Sequence, residues 1–270
     1  MTIEVLARAK INLALHVTGR HAGGYHLLDS VVAFADYGDL ITVRPAHTLT
    51  LTLTGPFAAS LCDTDNLVLT AARILHPSLG AQITLQKNLP VASGIGGGSA
   101  DAAATLKALA QLWSLPLPPP ETVLSLGADL PVCVAGQAAR MQGIGEKITP
   151  INVPPLYAIL VNPGIGLATK DVFNALTNRE NPGLPPISDT FLPWLSAQRN
   201  DLQVPAICLA PVIATTLETL QSLPDCRLAR MSGSGATCFA LFTNQVKSQA
   251  AAQSLKSTNP GWWVQVTTLS

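Results

Sequence analysis

Charge is scarce in this chain: Asp, Glu, Lys and Arg make up only 12% of it, and the formal net charge is +0. That balance speaks against a partner held by bulk electrostatics, whether nucleic acid or an anionic membrane. Long apolar runs are also missing once Pro and Gly are counted as breaks, which excludes a membrane-spanning helix. The first ten residues scatter their charges and form no apolar core, so they do not read as a secretory signal. Cysteine is sparse and dispersed, at Cys62, Cys133, Cys208, Cys226 and Cys238, with no C-x-x-C pair. Such a set predicts buried, reduced thiols and no zinc site, and therefore a cytoplasmic protein.

Apolar material is plentiful. Hydrophobic residues make up 48% of 270, enough for one large domain or two modest ones. The most informative stretch runs Pro90-Val91-Ala92-Ser93-Gly94-Ile95-Gly96-Gly97-Gly98-Ser99-Ala100-Asp101 and continues into alanines. Glycine takes positive φ freely and has no Cβ to obstruct a ligand. Ser is a preferred N-cap and Ala the best helix former. The stretch therefore predicts a glycine loop emptying into a helix capped at Ser99, a place where convergent N–H groups hold phosphate. The dinucleotide pattern G-x-G-x-x-G fails at Ser99, and no Lys completes a P-loop. A plain packing turn, with Ser99 and Asp101 as capping residues, fits the loop by itself equally well.

Taken in order, Ile3 to Val17 reads as two strands or one bent strand, broken at Arg8-Ala9-Lys10. Lys10, among apolar neighbours, fits a strand-edge lysine reaching to water. Gly19 to His26 is a turn-rich loop carrying Tyr25 and His26. Val31–Val43, Leu49–Leu53 and Ala81–Leu85 are further strands, with a helix from Leu67 to Leu75 capped by Asp65 or Asn66. Ala102, Leu106, Leu109 and Trp113 share a core-facing helical stripe. Glu121–Leu126 is a short helix. In Gly127-Ala128-Asp129-Leu130-Pro131, Asp129 is either a turn residue or an active-site carboxylate. Val132–Ala135 reads as strand and Gly143–Glu146 as a turn. Prolines at 150–155 mark a boundary, giving domains at 1–152 and 153–270. Leu156–Val161 is a strand, Thr169–Leu176 a helix capped by Thr169, and Asn178–Pro193 a mobile loop. A helix at Val212–Leu220 precedes a second glycine loop, Met231–Thr237, that feeds a strand at Cys238–Phe242.

Together these segments resemble the GHMP family of small-molecule kinases. The resemblance is carried by Ala9-Lys10-Ile11-Asn12-Leu13, by the loop Gly94–Ala103 and by Ser232-Gly233-Ser234-Gly235, in the family's order, and it spans nearly the whole chain. Gly24-Tyr25-His26, Asp65-Asn66-Leu67 and Gly143-x-Gly145-Glu146 narrow it to a member phosphorylating the 2-hydroxyl of a cytidine diphosphate derivative in non-mevalonate isoprenoid precursor synthesis. It implies an α+β fold of two domains, the first similar to ribosomal protein S5 domain 2 and the second ferredoxin-like. It implies ATP and Mg²⁺ as cofactors and a small-molecule partner.

The resemblance also assigns roles. Lys10 and Asp129 become the catalytic pair. Pro90, Val91, Ala92, Ser93, Gly94, Ile95, Gly96, Gly97, Gly98 and Ser99 wrap the ATP phosphates, with Asn66 and Lys87 on the adenine side. Asn12 and Thr169 contact substrate, Tyr25 and Phe173 sandwich the cytosine, and His26 bonds its edge. Ser99 is the one residue expected near the metal. Two positions depart from the family: Ala100 replaces a second hydroxyl residue, and Ile95 a common Leu. Relatives acting on mevalonate or homoserine would have no base to stack between Tyr25 and Phe173. A non-catalytic nucleotide binder would have no need of both Lys10 and Asp129.

Overall fold

A computed structural model describes residues 1–21, 23–61 and 66–270. Cys62 and the alternative cap Asp65 lie outside the described residues. The chain begins with three strands, β1 (Ile3–Arg20), β2 (His26–Pro45) and β3 (Thr50–Thr54), then helix α1 (Leu67–Leu75) and strand β4 (Ala81–Gln86). Three helices follow: α2 (Gly97–Trp113), α3 (Pro120–Ser125) and α4 (Leu130–Ala135). Next come β5 (Ala139–Gly143), β6 (Lys147–Pro150) and β7 (Leu156–Asn162), then α5 (Thr169–Asn174), α6 (Phe191–Ser196), α7 (Gln203–Leu209) and α8 (Val212–Gln221). The chain closes with β8 (Leu228–Met231), β9 (Cys238–Phe242), α9 (Gln245–Thr258) and β10 (Trp263–Leu269). The mixture of helix and strand is the one expected.

Contacts divide the chain into two compact units that are discontinuous in sequence. The first comprises residues 1–10, 37–91 and 96–136; the second comprises 11–36, 92–95 and 137–270. In the first unit, β4 pairs antiparallel with the end of β2, from Leu40 opposite Gln86 to Pro45 opposite Ala81, and parallel with β3. The parallel pair is joined through α1, as a parallel connection requires. Asn66 caps α1 by accepting a hydrogen bond from Val68 N at 3.0 Å. Ala71, Ala102, Leu106, Val123 and Leu130 form one buried cluster among the four helices. Gly38 marks a close approach, since a Cβ there would sit 2.0 Å from Ala7 O.

In the second unit, β7 is flanked by β10 and β9, both antiparallel, and β8 extends the sheet beyond β9. Leu156, Ala158, Ile159, Leu160 and Val161 of β7 are all buried, apolar on both faces as a covered central strand must be. The start of β2 pairs with β5, and β5 with β6, around the turn at 144–146. A core of Ile159, Val161, Ile213, Leu220, Ala240 and Leu255, among others, lies against α8 and α9.

Several local expectations are corrected. Ile3–Arg20 is one strand, because paired backbone carries it through Arg8-Ala9-Lys10. Helix α2 begins at Gly97, not after Ser99: Gly96 is its N-cap at φ +65°, and Gly96 O accepts from Ala100 N at 2.8 Å. Val132–Ala135 is helix, not strand. Proline costs a helix nothing in its first turn, where Pro131 sits, and packing of Leu130 against α2 outweighs the β-propensity of the valines. Thr169 opens α5 but Ala168 occupies its N-cap position, with no side-chain cap. Trp113 is half-buried, its Nε1 donating to Gly80 O at 3.4 Å. Cys208 is exposed and Cys226 half-buried, whereas Cys133 and Cys238 are buried as expected.

Residues 191–193 belong to α6 rather than to the expected loop. The preceding segment is fastened down. Asn181 N donates to Val17 O at 3.1 Å, and Leu184 N to Asp29 Oδ2 at 2.9 Å. Arg140 grips both carboxylate oxygens of Asp29, at 2.8 and 2.6 Å, and also donates to Leu184 O.

Candidate active site

In the first unit, β1 delivers Lys10 and the α3–α4 junction delivers Asp129. Lys10 is buried, and its Nζ lies 2.8 Å from Asp129 Oδ2. The Asp129 side chain keeps 36% exposure, so one end of the pair faces solvent while the other is fixed. Asp129 sits at the N-cap of α4 but makes no capping bond with its side chain, which leaves the carboxylate to Lys10. Gly96 completes the arrangement. A Cβ there would come within 3.0 Å of Lys10 Cε and 3.8 Å of Asp129 Oδ2, and its φ of +65° suits glycine. Gly97, Gly98 and Ser99 form the first turn of the 17-residue helix α2. The amides of that turn have no intrahelical acceptor and carry the positive end of the helix dipole, and around Gly98 there is open space.

Lys87 is buried too, and its ammonium is enclosed by two carboxylates: Asp39 Oδ2 at 2.5 Å and Asp101 Oδ2 at 2.7 Å. Asp39 Oδ1 also accepts from Asn88 N at 2.5 Å and Leu89 N at 2.8 Å. Local sequence gives no sign of this ion cluster, because each aspartate is separated from Lys87 along the chain. Burial opposes the Lys87 charge, but the two carboxylates outweigh it and hold its pKa above the ordinary lysine value. Asn66 is committed to capping α1. Pro90 is buried and Val91 half-buried. Burial, then the nearby Asp129 carboxylate, push the Cys133 thiol up to about 12, so it is inert at neutral pH.

The second unit holds the middle of the glycine loop. Ala92 is exposed at φ +50°, Ser93 and Ile95 are buried, and Gly94 has φ +74°. A Cβ on Gly94 would meet Ser232 O at 2.5 Å and Gly235 N at 2.6 Å, so only glycine lets the two glycine loops touch. The contact is hydrogen-bonded: Ser232 Oγ donates to Gly94 O at 3.0 Å and accepts from Asn12 N at 3.0 Å, while Thr237 N donates to Ser93 O at 3.1 Å. Asn12 Nδ2 donates to Ser30 Oγ at 2.8 Å. Thr169 Oγ1 and Ser234 Oγ share a hydrogen bond of 2.9 Å. Motif reading names Ser232 only as part of a loop; its hydroxyl is what joins that loop to the first.

The aromatic group lies in the second unit as well. His26 and Phe173 stack, with ring centroids 4.6 Å apart and an interplanar angle of 20°. Tyr25 is 66% exposed and in position to cover a neighbour without first losing one. His26 Nε2 is buried and has no hydrogen-bond partner among the described residues. Burial, and then the Arg179 and Arg20 guanidiniums, lower the His26 pKa, so the ring is neutral near pH 7. Among the described residues no group of three or more His, Cys, Asp or Glu side chains could hold a metal ion, and no helix is long and apolar enough to cross a membrane.

Comparison with known proteins gives this geometry a family. The family model described as GHMP kinases N terminal domain matches residues 66–142, and the one described as GHMP kinases C terminal matches 191–261. The chain is 54% identical over 271 residues to the 4-diphosphocytidyl-2-C-methyl-D-erythritol kinase of Cereibacter sphaeroides (strain ATCC 17025 / ATH 2.4.3), covering 97% of each chain. It is 54% identical to the kinase of the same name from Ruegeria pomeroyi, covering 97% of this chain and 98% of the relative. A crystal structure of 4-(cytidine 5'-diphospho)-2C-methyl-D-erythritol kinase superposes with a TM-score of 0.85 at 31% identity, covering 99% of both chains. Homoserine kinase from Cytophaga hutchinsonii shares the fold, with a TM-score of 0.68 at 20% identity over 99% of this chain and 95% of that one. The chain belongs to the GHMP kinase family, in the group formed by the 4-diphosphocytidyl-2-C-methyl-D-erythritol kinases.

Proposed function

We propose that this kinase transfers the γ-phosphoryl group of ATP to the 2-hydroxyl of 4-diphosphocytidyl-2-C-methyl-D-erythritol. The products are the 2-phosphate and ADP, in the non-mevalonate route to isoprenoid precursors. The observation that carries the chemistry is the Lys10–Asp129 pair at 2.8 Å, one partner buried and the other open to solvent. Phosphoryl transfer through a loose transition state needs positioning and charge compensation more than covalent chemistry. Asp129 orients the 2-hydroxyl and takes its proton as the O–P bond forms. Lys10 fixes the carboxylate's direction and offsets the negative charge that develops beside it.

The amides of Gly96, Gly97, Gly98 and Ser99, with the stretch from Pro90 to Ile95, hold the nucleotide phosphates; Asn66 and Lys87 line the adenine side. Lys87 would act there through its backbone or stem, since its ammonium is enclosed. Mg²⁺ would supply charge neutralisation between the phosphates, with Ser99 the residue retained beside it. Asn12 and Thr169 contact the substrate. The cytosine stacks on the aromatic group formed by Phe173 and Tyr25, displacing or extending the imidazole of His26, whose unpartnered Nε2 offers a hydrogen bond to the base edge. A cytoplasmic enzyme, free of nucleic-acid and membrane partners and divided into domains near residue 152, completes the proposal.

The test is a coupled ADP-release assay with Mg-ATP that compares the cytidine substrate with mevalonate and homoserine. Turnover with the cytidine substrate alone is expected. Turnover with either other alcohol would keep the Lys10–Asp129 chemistry and discard the base-recognition argument.

A further inference from the structure

Two carboxylates and one ammonium lie together in the first unit, at the foot of the helix assigned to phosphate. Asp39 is 0% exposed and Asp101 3%. If both carboxylates were ionised, the cluster would carry a net negative charge in a dry place beside an anion site. That charge would be costly to bury and would repel the nucleotide. The hydrogen bonds distinguish the two aspartates. Asp39 receives Asn88 N and Leu89 N on one oxygen and Lys87 on the other, so its negative charge is fully solvated by the protein. Asp101 receives Lys87 alone, and its Oδ1 is buried with no hydrogen-bond partner among the described residues.

We propose that Asp101 is a neutral carboxylic acid in the nucleotide-binding protein, and that Lys87, Asp39 and Asp101 form a positioning cluster that sets both the seating and the charge of the α2 N-terminus. The cluster ties the segment Lys87–Leu89, which enters the glycine loop, to the first turns of α2. The tie is tight: a Cβ on Gly97 would stand 3.1 Å from Lys87 Nζ and 3.9 Å from Asp39 Oδ2. Asp101 is a positioning residue and touches no substrate. Burial first, and then the Asp39 carboxylate, raise its pKa to about 8 against the opposing pull of Lys87. The other ionisable groups facing this region are the Lys10–Asp129 pair, which adjoins Gly96, and the buried thiol of Cys133. That thiol stays protonated through the range that matters here.

Loss of the proton would place one extra negative charge about four residues, roughly 6 Å, along the helix from the phosphate-binding amides. Nucleotide affinity should therefore fall by on the order of tenfold as Asp101 ionises, for an effective dielectric near 20. By linkage, bound nucleotide should hold the proton more tightly.

The proposal rests on the nucleotide-binding reading of the loop, so its test measures ATP binding directly by calorimetry from pH 7 to pH 9.5. Over that range the nucleotide's own phosphates are already ionised. The wild-type dissociation constant should rise about tenfold with a midpoint near pH 8, and Asp101→Asn should bind with little pH dependence. A flat wild-type profile, or the same rise in Asp101→Asn, would overturn the proposal. Carbon-13 NMR of aspartate-labelled wild-type protein gives a second readout that needs no folded variant. One carboxyl should titrate near pH 8, and if every carboxyl titrates near pH 4 the proposal fails. ATP binding without turnover on any alcohol would sink the substrate assignment and leave this cluster standing; absence of ATP binding at every pH would sink both.

Discussion

Replacing Lys87 with Met keeps the stem length and removes the ammonium, so packing changes little and electrostatics a great deal. The wild-type side chain makes two charge-assisted hydrogen bonds, at 2.5 and 2.7 Å, to carboxylates that have almost no access to water. Breaking a buried ion pair by removing one partner typically costs about 3–5 kcal/mol, most of it the stranded charge. Here Asp101 can remain protonated, so the stranded charge is the one on Asp39, which keeps its two backbone donors. That places the expected loss at pH 7 near the lower end, about 3 kcal/mol. The deficit should shrink as pH falls, because protonating Asp39 removes the uncompensated charge. Urea unfolding, followed by fluorescence and by circular dichroism, reads the loss as a fall in midpoint at constant slope. Adding Asp39→Asn to Lys87→Met should recover much of it. A loss below about 1 kcal/mol at pH 7, or no recovery in the double variant, would refute the reasoning, since an isolated surface pair would behave that way.

Asp129→Asn should lower turnover by about 10²–10⁴-fold, the usual range for a lost general base, with ATP binding retained. An active variant in the ADP-release assay would take Asp129 out of the mechanism. Phe173→Ala removes the ring on which His26 stacks at 4.6 Å, and should raise KM for the cytidine substrate about tenfold while leaving KM for ATP unchanged. Equal changes in both constants would point to a folding defect rather than lost base recognition. Thiol labelling of the native protein at pH 7.5 should modify Cys208 quickly, because it is exposed, and spare Cys133 and Cys238, whose thiols burial pushes well above the ordinary value. Rapid labelling of Cys238 in the folded state would contradict the packing of β9.

The parts of this molecule legible in the sequence are those whose chemistry is local. The glycine loop and the helix behind it announce themselves because φ preference and helix propensity act over a few adjacent residues. Lys10 stands out as a charge among apolar neighbours, and its partner Asp129 as a carboxylate in a small-residue turn. The lengths of β1 and β2 are not legible. From Ala9 to Val17 side chains of both faces are buried, so the period-two signal that marks a half-exposed strand is lost. Helix α9 gives little signal because its buried face is built from Ser248, Ala251, Ala252 and Leu255, which have the right spacing and little hydrophobicity. The Val132–Ala135 segment reads as strand because its β-branched residues give no hint that they yield to packing against α2. The Lys87 cluster is invisible for another reason. Its partners lie 48 and 14 residues away, and nothing in either neighbourhood records the meeting.

The single hydroxyl of Ser232 bonds residues 220 and 138 positions away, Asn12 and Gly94, and so laces together the two ends of the chain and its middle. A knot of contacts that distant in sequence has an entropic cost that must be met before it stabilises anything, which makes it a late event in folding. On the ribosome the consequence is one of timing. A nascent chain can complete β1, the glycine loop and helix α2 long before position 232 has been synthesised. Until then Gly94 lacks the neighbours that define its conformation. Competence to hold nucleotide through this part of the loop thus comes only near the end of synthesis, and a chain cut short before β8 would be translated in large part yet blind to ATP.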